Sequence, residues 1–119
     1  MINSLRLGTD IVRISRIENI LSSERRQRFL NKIFSKDEIA LSKKRINESE
    51  FFAGRFAAKE AVRKALNSKE FSTPKNFKSI NIYSHANGKP CVVLKNFKKN
   101  IEVSISHDGN YATAVCVVF

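Results

Sequence analysis

The segment ESEFFAGRFAAKEAVRKAL, residues 48–66, restricts what this chain can fold into more than any other. Ala53, Ala57, Ala58, Ala61 and Ala65 give it strong helix propensity and a surface that neighbouring backbone can approach closely. A long helix from about Glu48 to Leu66 is therefore expected at the centre of the fold, and what flanks it decides the class. Ahead of it, Ser4 to Ile14 (SLRLGTDIVRI) is β-branched, apolar and partly alternating, which predicts a first strand with Asp10 in it or just after it. Ile14, Ile17, Ile20 and Leu21 then recur at helical spacing, with Ser15 as N-cap and Glu18 completing a capping box. SSERRQRFLNKIF sets Phe29, Leu30, Ile33 and Phe34 against Arg25, Arg26, Arg28 and Lys32, a basic amphipathic helix. SKDEIALSKKR repeats the cap signature with Ser35 and Glu38 and ends in Lys43, Lys44 and Arg45, as suits the C-terminus of a short helix. Behind the central helix, residues 67–77 hold turn formers and Pro74 and read as a mobile connector. INIYSHANGKPCVVL gives two strands around Asn87-Gly88, with Pro90 near a sheet edge. IEVSISHDGNYATAVCVVF gives two more around Asp108-Gly109. Strand, helices, hairpin, hairpin is a segregated order, so the expected class is α+β, not a doubly wound parallel sheet. No repeat or boundary divides the chain, and residues 1–119 read as one domain.

A hydrophobic fraction of 42% with nine Phe supplies one core for a chain of 119 residues. Cys91 and Cys116 are too far apart for a zinc knuckle and too few for a disulfide framework, and both are expected as buried free thiols in strands. No stretch approaches the roughly 20 apolar residues of a spanning helix, and the N-terminus lacks a basic n-region and an apolar h-region. No membrane span and a cytoplasmic location are expected. The net charge of +11 calls for a negative partner. Nucleic acid, an anionic membrane surface, a phosphate-rich cofactor and an acidic protein all meet that condition.

Three features carry chemistry: GTDI at 8–11, GRFAAKEA at 54–61 and SISHD at 104–108. Asp10 sits among Leu7, Ile11 and Val12, where it is either a strand-end carboxylate or a ligand for a hard cation such as Mg²⁺. Glu60 falls between Phe56 and Lys64 on a helical wheel. It is either the first member of an i,i+4 pair with Lys64, worth about 0.2–0.5 kcal/mol, or a site residue. If Asp10 and Glu60 converge to near 4 Å, their repulsion reaches about 4 kcal/mol at an effective dielectric of 20, and a cation between them resolves it. Arg55, Lys59, Arg63 and Lys64 are then available to phosphate oxygens, the equipment phosphoryl transfer requires. His107, at a strand end before a turn, is more often a polar turn residue than a catalytic one, and His85 is blander still. There is no Ser-His-Asp arrangement, no GxxxxGK[ST] loop and no GxGxxG. A basic nucleic-acid module fits the charge equally well. Against it, the strands lack paired aromatics, there is no GxxG clamp, and acids such as Asp37 and Glu38 interrupt the basic run. Attachment to anionic lipid through the basic helix ranks below both.

LGTDIVRISRIE, FFAGRFAAKEAVRKAL, NGKP and VSISHD together resemble the bacterial holo-acyl-carrier-protein synthases over essentially the whole chain, GRFAAKEA being the most specific. The resemblance implies the 4′-phosphopantetheinyl transferase fold, a single α+β domain with an antiparallel sheet and a long central helix, assembled as a homotrimer with coenzyme A at each subunit interface. It implies transfer of 4′-phosphopantetheine from coenzyme A to a serine of an acidic acyl-carrier protein, with adenosine 3′,5′-bisphosphate leaving, in support of fatty acid biosynthesis. No nucleic acid takes part in that reaction. Asp10 and Glu60 match the family's magnesium ligands, and Lys64 a basic residue near the transferred phosphate. Glu60 is the expected proton acceptor. Arg55, Ser106 and His107 fall in segments that approach the coenzyme's phosphates and adenosine, while Arg16, Arg28, Phe29 and Lys32 are candidates for the carrier surface. The connector NSKEFSTP departs from the family's often glycine-bearing pattern.

Overall fold

The computed structural model describes residues 5–68 and 71–119. Strand β1 (Arg6–Arg13) leads into helices α1 (Ile14–Leu21), α2 (Arg26–Ile33), α3 (Lys36–Ser42) and α4 (Glu48–Leu66). A 3-10 turn at Phe77–Ser79 precedes β2 (Ile80–Ser84), β3 (Pro90–Leu94), β4 (Ile101–Asp108) and β5 (Tyr111–Val118). The two hairpins stand where the turn signals put them. β1, β5 and β4 form one antiparallel sheet with β5 in the middle, and β2 and β3 form a separate two-stranded ribbon. This is the α+β arrangement expected.

The central helix and the three-stranded sheet meet through their smallest residues. Ala57, Ala58, Ala61 and Ala65 on α4 and Ala112 and Ala114 on β5 are all buried. Gly8 on β1 takes the contact furthest, since a Cβ there would lie 1.9 Å from the carbonyl oxygen of Ala61 and 2.8 Å from the amide nitrogen of Ala65. Strand backbone thus rests on helix backbone. Side chains alternate along a strand, so Asp10 and Val12 share the helix-facing side of β1 with Gly8. Leu7 and Ile11 point the other way, 65% and 64% exposed, beside Val115 and Tyr111 of β5, also exposed. That outer face is apolar and uncovered in the single chain.

The start of α1 differs from expectation. β1 ends at Arg13, paired with Tyr111, one residue before the expected Ile14, so the helix begins at Ile14 and Ser15 falls inside its first turn. Arg13 occupies the N-cap and makes no side-chain cap bond. The Arg13–Tyr111 pair brings the β4–β5 turn over the helix start, and Asn110 takes the cap's place, its Oδ1 accepting from Ser15 N at 2.9 Å. The capping box of α3 forms as predicted, Ser35 Oγ accepting from Glu38 N at 3.2 Å and Glu38 Oε1 from Ser35 N at 2.8 Å. Asn47 Oδ1 caps α4 by accepting from Glu50 N at 3.0 Å. Both cysteines are free. Cys116 is buried, and burial pushes its thiol up to about 12. Cys91 is only half-buried, against expectation, in a strand none of whose residues is fully buried.

Gly8→Ala is expected to lower stability by about 1–3 kcal/mol or more, because the clash is with backbone that no rotamer change can move. Thermal unfolding of the variant checks this.

Candidate active site

The Gly8 contact brings the following turn of β1 against the C-terminal half of α4. There Lys64 Nζ donates to Asp10 Oδ1 at 3.1 Å and to the carbonyl of Thr9 at 3.0 Å. The Asp10 side chain is 16% exposed and that of Lys64 is 53% exposed. Glu60 lies one helical turn before Lys64, yet their i,i+4 pair does not form. Glu60 instead accepts from Arg63 Nη1 at 3.4 Å, and Lys64 turns to the strand. Asp10 thus lies against Lys64, while Glu60 stands one helical turn before it and is held by Arg63. Glu60, Arg63, Lys64, Asn67 and Thr73 line an open cleft of about 290 Å³. Asn67 and Thr73 are the connector's contribution to it. No group of three or more His, Cys, Asp or Glu gathers among the described residues. Two carboxylates held by a strand and a helix nevertheless fit Mg²⁺, which takes one or two protein carboxylates and completes its shell with water and substrate phosphates.

A second cleft, about 370 Å³, opens at the other end of α4. Lys44, Arg45, Arg55 and His107 line it, with Glu50 the only acid on its wall. Arg55 is 7% exposed, and its guanidinium lies 4.8 Å over the Phe51 ring and donates from Nη2 to Ser84 Oγ at 2.7 Å. Its Nε is buried without a partner. Desolvation and the nearby Arg45 charge lower its pKa. A buried guanidinium with no carboxylate against it suits a phosphate oxygen. Gly54 makes the space for His107, whose Nε2 lies 2.8 Å from where a Cβ would stand. His107 Nδ1 is 3.8 Å from Glu50 Oε1. Ser106 does not join this cleft. Alternation along β4 turns it onto the outer face of the sheet, opposite Thr113.

The two clefts cannot close on one phosphate group within one chain. Lys64 comes nine positions after Arg55, which at the rise and rotation of an α-helix is about 14 Å along the axis and half a turn around it.

Lys59 was expected among the phosphate-binding cations and is not one. It is fully buried, its Nζ donating to Glu38 Oε1 at 2.6 Å and to the carbonyls of Ile33 at 2.7 Å and Phe77 at 3.1 Å. Desolvation lowers its pKa, with Glu38 opposing the shift. Glu38 Oε2 also accepts from Ile82 N at 3.0 Å, so this pair ties α3, α4 and β2 together. The sequence carried the signal, because Lys59 shares the helical stripe of Phe52, Val62 and Leu66. Lys44, Arg45, Glu50 and Phe51 were missed as a group, since the basic run at 43–45 read only as a helix C-terminus.

On the helical side, Arg16, Arg28 and Lys32 are exposed on α1 and α2. Arg16 lies 5.9 Å over Phe56. Phe29 is half-buried, packed on Phe34 at 5.8 Å and Phe56 at 6.1 Å, so much of its ring belongs to the core.

A family model described as the 4′-phosphopantetheinyl transferase superfamily matches residues 6–116. The chain is 41% identical over 112 residues to a holo-acyl-carrier-protein synthase of Thermodesulfovibrio yellowstonii, covering 94% of this chain and 96% of that one. It is 45% identical over 122 residues to the corresponding synthase of Wolbachia pipientis wMel, covering 99% and 94%. The crystal structure of Helicobacter pylori holo-acyl-carrier-protein synthase in complex with coenzyme A superposes with a TM-score of 0.80 at 36% identity, covering 95% of this chain and 99% of that one.

The buried and the exposed lysine are expected to separate cleanly in denaturant. Lys59→Ala leaves Glu38 as an unpaired buried charge and should cost about 3–5 kcal/mol. Lys64→Ala breaks an exposed pair and should cost no more than about 1 kcal/mol. Urea unfolding curves of the two variants decide it.

Proposed function

The chain belongs to the 4′-phosphopantetheinyl transferase superfamily as one of its holo-acyl-carrier-protein synthases, and from that premise we propose that its active site is completed between copies of the chain in a homotrimer. The reaction moves 4′-phosphopantetheine from coenzyme A to apo-acyl-carrier protein. One copy supplies Asp10, Glu60 and Lys64 to the reacting phosphate, and a neighbour supplies Arg55 and His107 to the nucleotide end of the coenzyme. The observation that carries this reading is the placement of Arg55 and Lys64 half a turn apart on α4, which leaves each cleft half a site. The uncovered face of Leu7, Ile11, Tyr111 and Val115 supports the assembly, because apolar surface of that kind is characteristic of an interface. Ser106 lies on the same face and would reach coenzyme only through that contact.

Asp10 and Glu60 would hold Mg²⁺, which supplies charge neutralisation at the coenzyme's pyrophosphate. Lys64, already reaching Asp10, is placed to bind oxygens of the phosphate that is transferred. Glu60 accepts the proton of the carrier serine as its oxygen bonds to phosphorus. The bond from that phosphorus to the bridging oxygen breaks, and adenosine 3′,5′-bisphosphate leaves with the electron pair. Arg55, stacked on Phe51 and short of a partner at Nε, binds phosphate at the nucleotide end. Arg16, Arg28 and Lys32, with the exposed edge of Phe29, receive the acidic carrier. The setting is fatty acid biosynthesis in the cytoplasm. No helix among the described residues is long and apolar enough to cross a membrane.

Intact-mass spectrometry of apo-carrier incubated with coenzyme A, Mg²⁺ and the protein is expected to show a gain of one phosphopantetheine group. The gain should be lost with a chelator and with Asp10→Ala, and Glu60→Gln should slow it severely. Full activity in Asp10→Ala would refute the metal assignment, and normal turnover by Glu60→Gln would remove its role as base.

A further inference from the structure

Helix α1 begins without a side-chain cap from its own segment, and among the described residues the hydrogen bonds that tie its first turn to the sheet come from Asn110. The Asn110 carbonyl accepts from Ile14 N at 2.7 Å. Its Oδ1 accepts from Ser15 N at 2.9 Å, and its Nδ2 donates to Ser15 Oγ at 3.0 Å. Asn110 follows Gly109, which turns at φ 57°, and the pairing of Tyr111 with Arg13 locks the turn over the strand-to-helix corner. At this corner Arg13, Ser15, Arg16, Asn19, Ile20 and Arg25 line a cleft of about 400 Å³. No carboxylate is on its wall, and none of its three arginines has an acidic partner among the described residues.

We infer that Asn110 is a positioning residue for carrier recognition: by gripping Ser15 through both side-chain atoms it fixes the first turn of α1, and with it Arg16, in the cleft where Arg16 meets acidic side chains of the carrier beside Arg13 and Arg25. The inference rests on the reading of α1 as carrier surface and adds a residue that lies in the β4–β5 turn, 95 positions from Ser15. Two helix N–H groups, those of Ile14 and Ser15, are already taken by Asn110, so the cleft offers the carrier cationic side chains in place of a bare helix end. Removing the Asn110 side chain leaves Ser15 N–H without its acceptor and lets the first turn fray, and Arg16 loses its fixed direction.

The test is steady-state kinetics of Asn110→Ala, Ser15→Ala, Arg16→Ala and the doubles with Arg16→Ala, against apo-carrier and coenzyme A separately. Asn110→Ala is expected to raise the carrier KM about fivefold at low salt, the equivalent of a lost cap, with kcat and the coenzyme KM unchanged. The rise should shrink at high salt and vanish in the Arg16→Ala background, since a residue acting through Arg16 adds nothing once Arg16 is gone. An unchanged carrier KM in Asn110→Ala, beside a raised one in Arg16→Ala, overturns the inference and leaves the docking reading intact. A fully additive rise marks a general loss of structure and also overturns it. An unchanged carrier KM in Arg16→Ala overturns the docking reading itself and the inference with it. Should Asn110→Ala fail to fold, Ser15→Ala decides on the same readouts, because it deletes only the oxygen that accepts from Asn110 Nδ2. A smaller rise that vanishes with Arg16→Ala upholds the inference, and no rise overturns it.

Discussion

Gly8 lets the backbone of β1 lie directly on the backbone of α4, at the carbonyl of Ala61 and the amide of Ala65. Much else follows from that single contact. A side chain at Gly8 would lever the strand outward, and Asp10, two residues on and on the same face, would lose its reach to Lys64. The alanines of α4 serve the same end, trading bulky packing for proximity. The central helix can therefore present Lys64 on one side of its C-terminal half while the sheet closes over the rest.

Charge in this basic chain is divided by environment. Lys59 is taken into the interior by Glu38 and two carbonyls and holds α3, α4 and β2 in register, with its binding capacity saturated. Arg55 is nearly as buried but has only Ser84 and the Phe51 ring, so it retains an unmet demand for an anion. Arg13, Arg16 and Arg25 are surface charges without acids, suited to meeting a partner. Basic side chains thus do three different things according to how many of their donors the fold has already satisfied.

Much of this was legible in the sequence because it rests on local signals. The limits of α4, the α3 capping box and both hairpins follow from propensity, cap spacing and Asn-Gly or Asp-Gly turns, all set by residues within a few positions of one another. The start of α1 was misplaced because its cap comes from Asn110, at the far end of the chain, and no local pattern announces a partner so remote. Lys59 was misjudged for a related reason. A lysine in an apolar stripe is readable as buried, but the Glu38 that makes burial tolerable belongs to another helix. GTDI and GRFAAKEA singled out Asp10 and Glu60, but the Asp10–Lys64 pair joins residues 54 positions apart and was not foreseen, and the basic cleft of Lys44, Arg45, Arg55 and His107 is assembled from three separate segments and had no contiguous signature.

The half-turn between Arg55 and Lys64 makes shared sites between copies the central claim, and subunit complementation tests it most directly. Asp10→Ala and Arg55→Ala chains, each inactive alone, would be co-expressed with different tags and purified through both. Mixed oligomers bring an intact Asp10, Glu60 and Lys64 from one chain against an intact Arg55 and His107 from another, so phosphopantetheine transfer should reappear in them. Mixed oligomers that stay inactive, while wild-type chains carrying the same two tags are active, would contradict the account and place each site within a single chain.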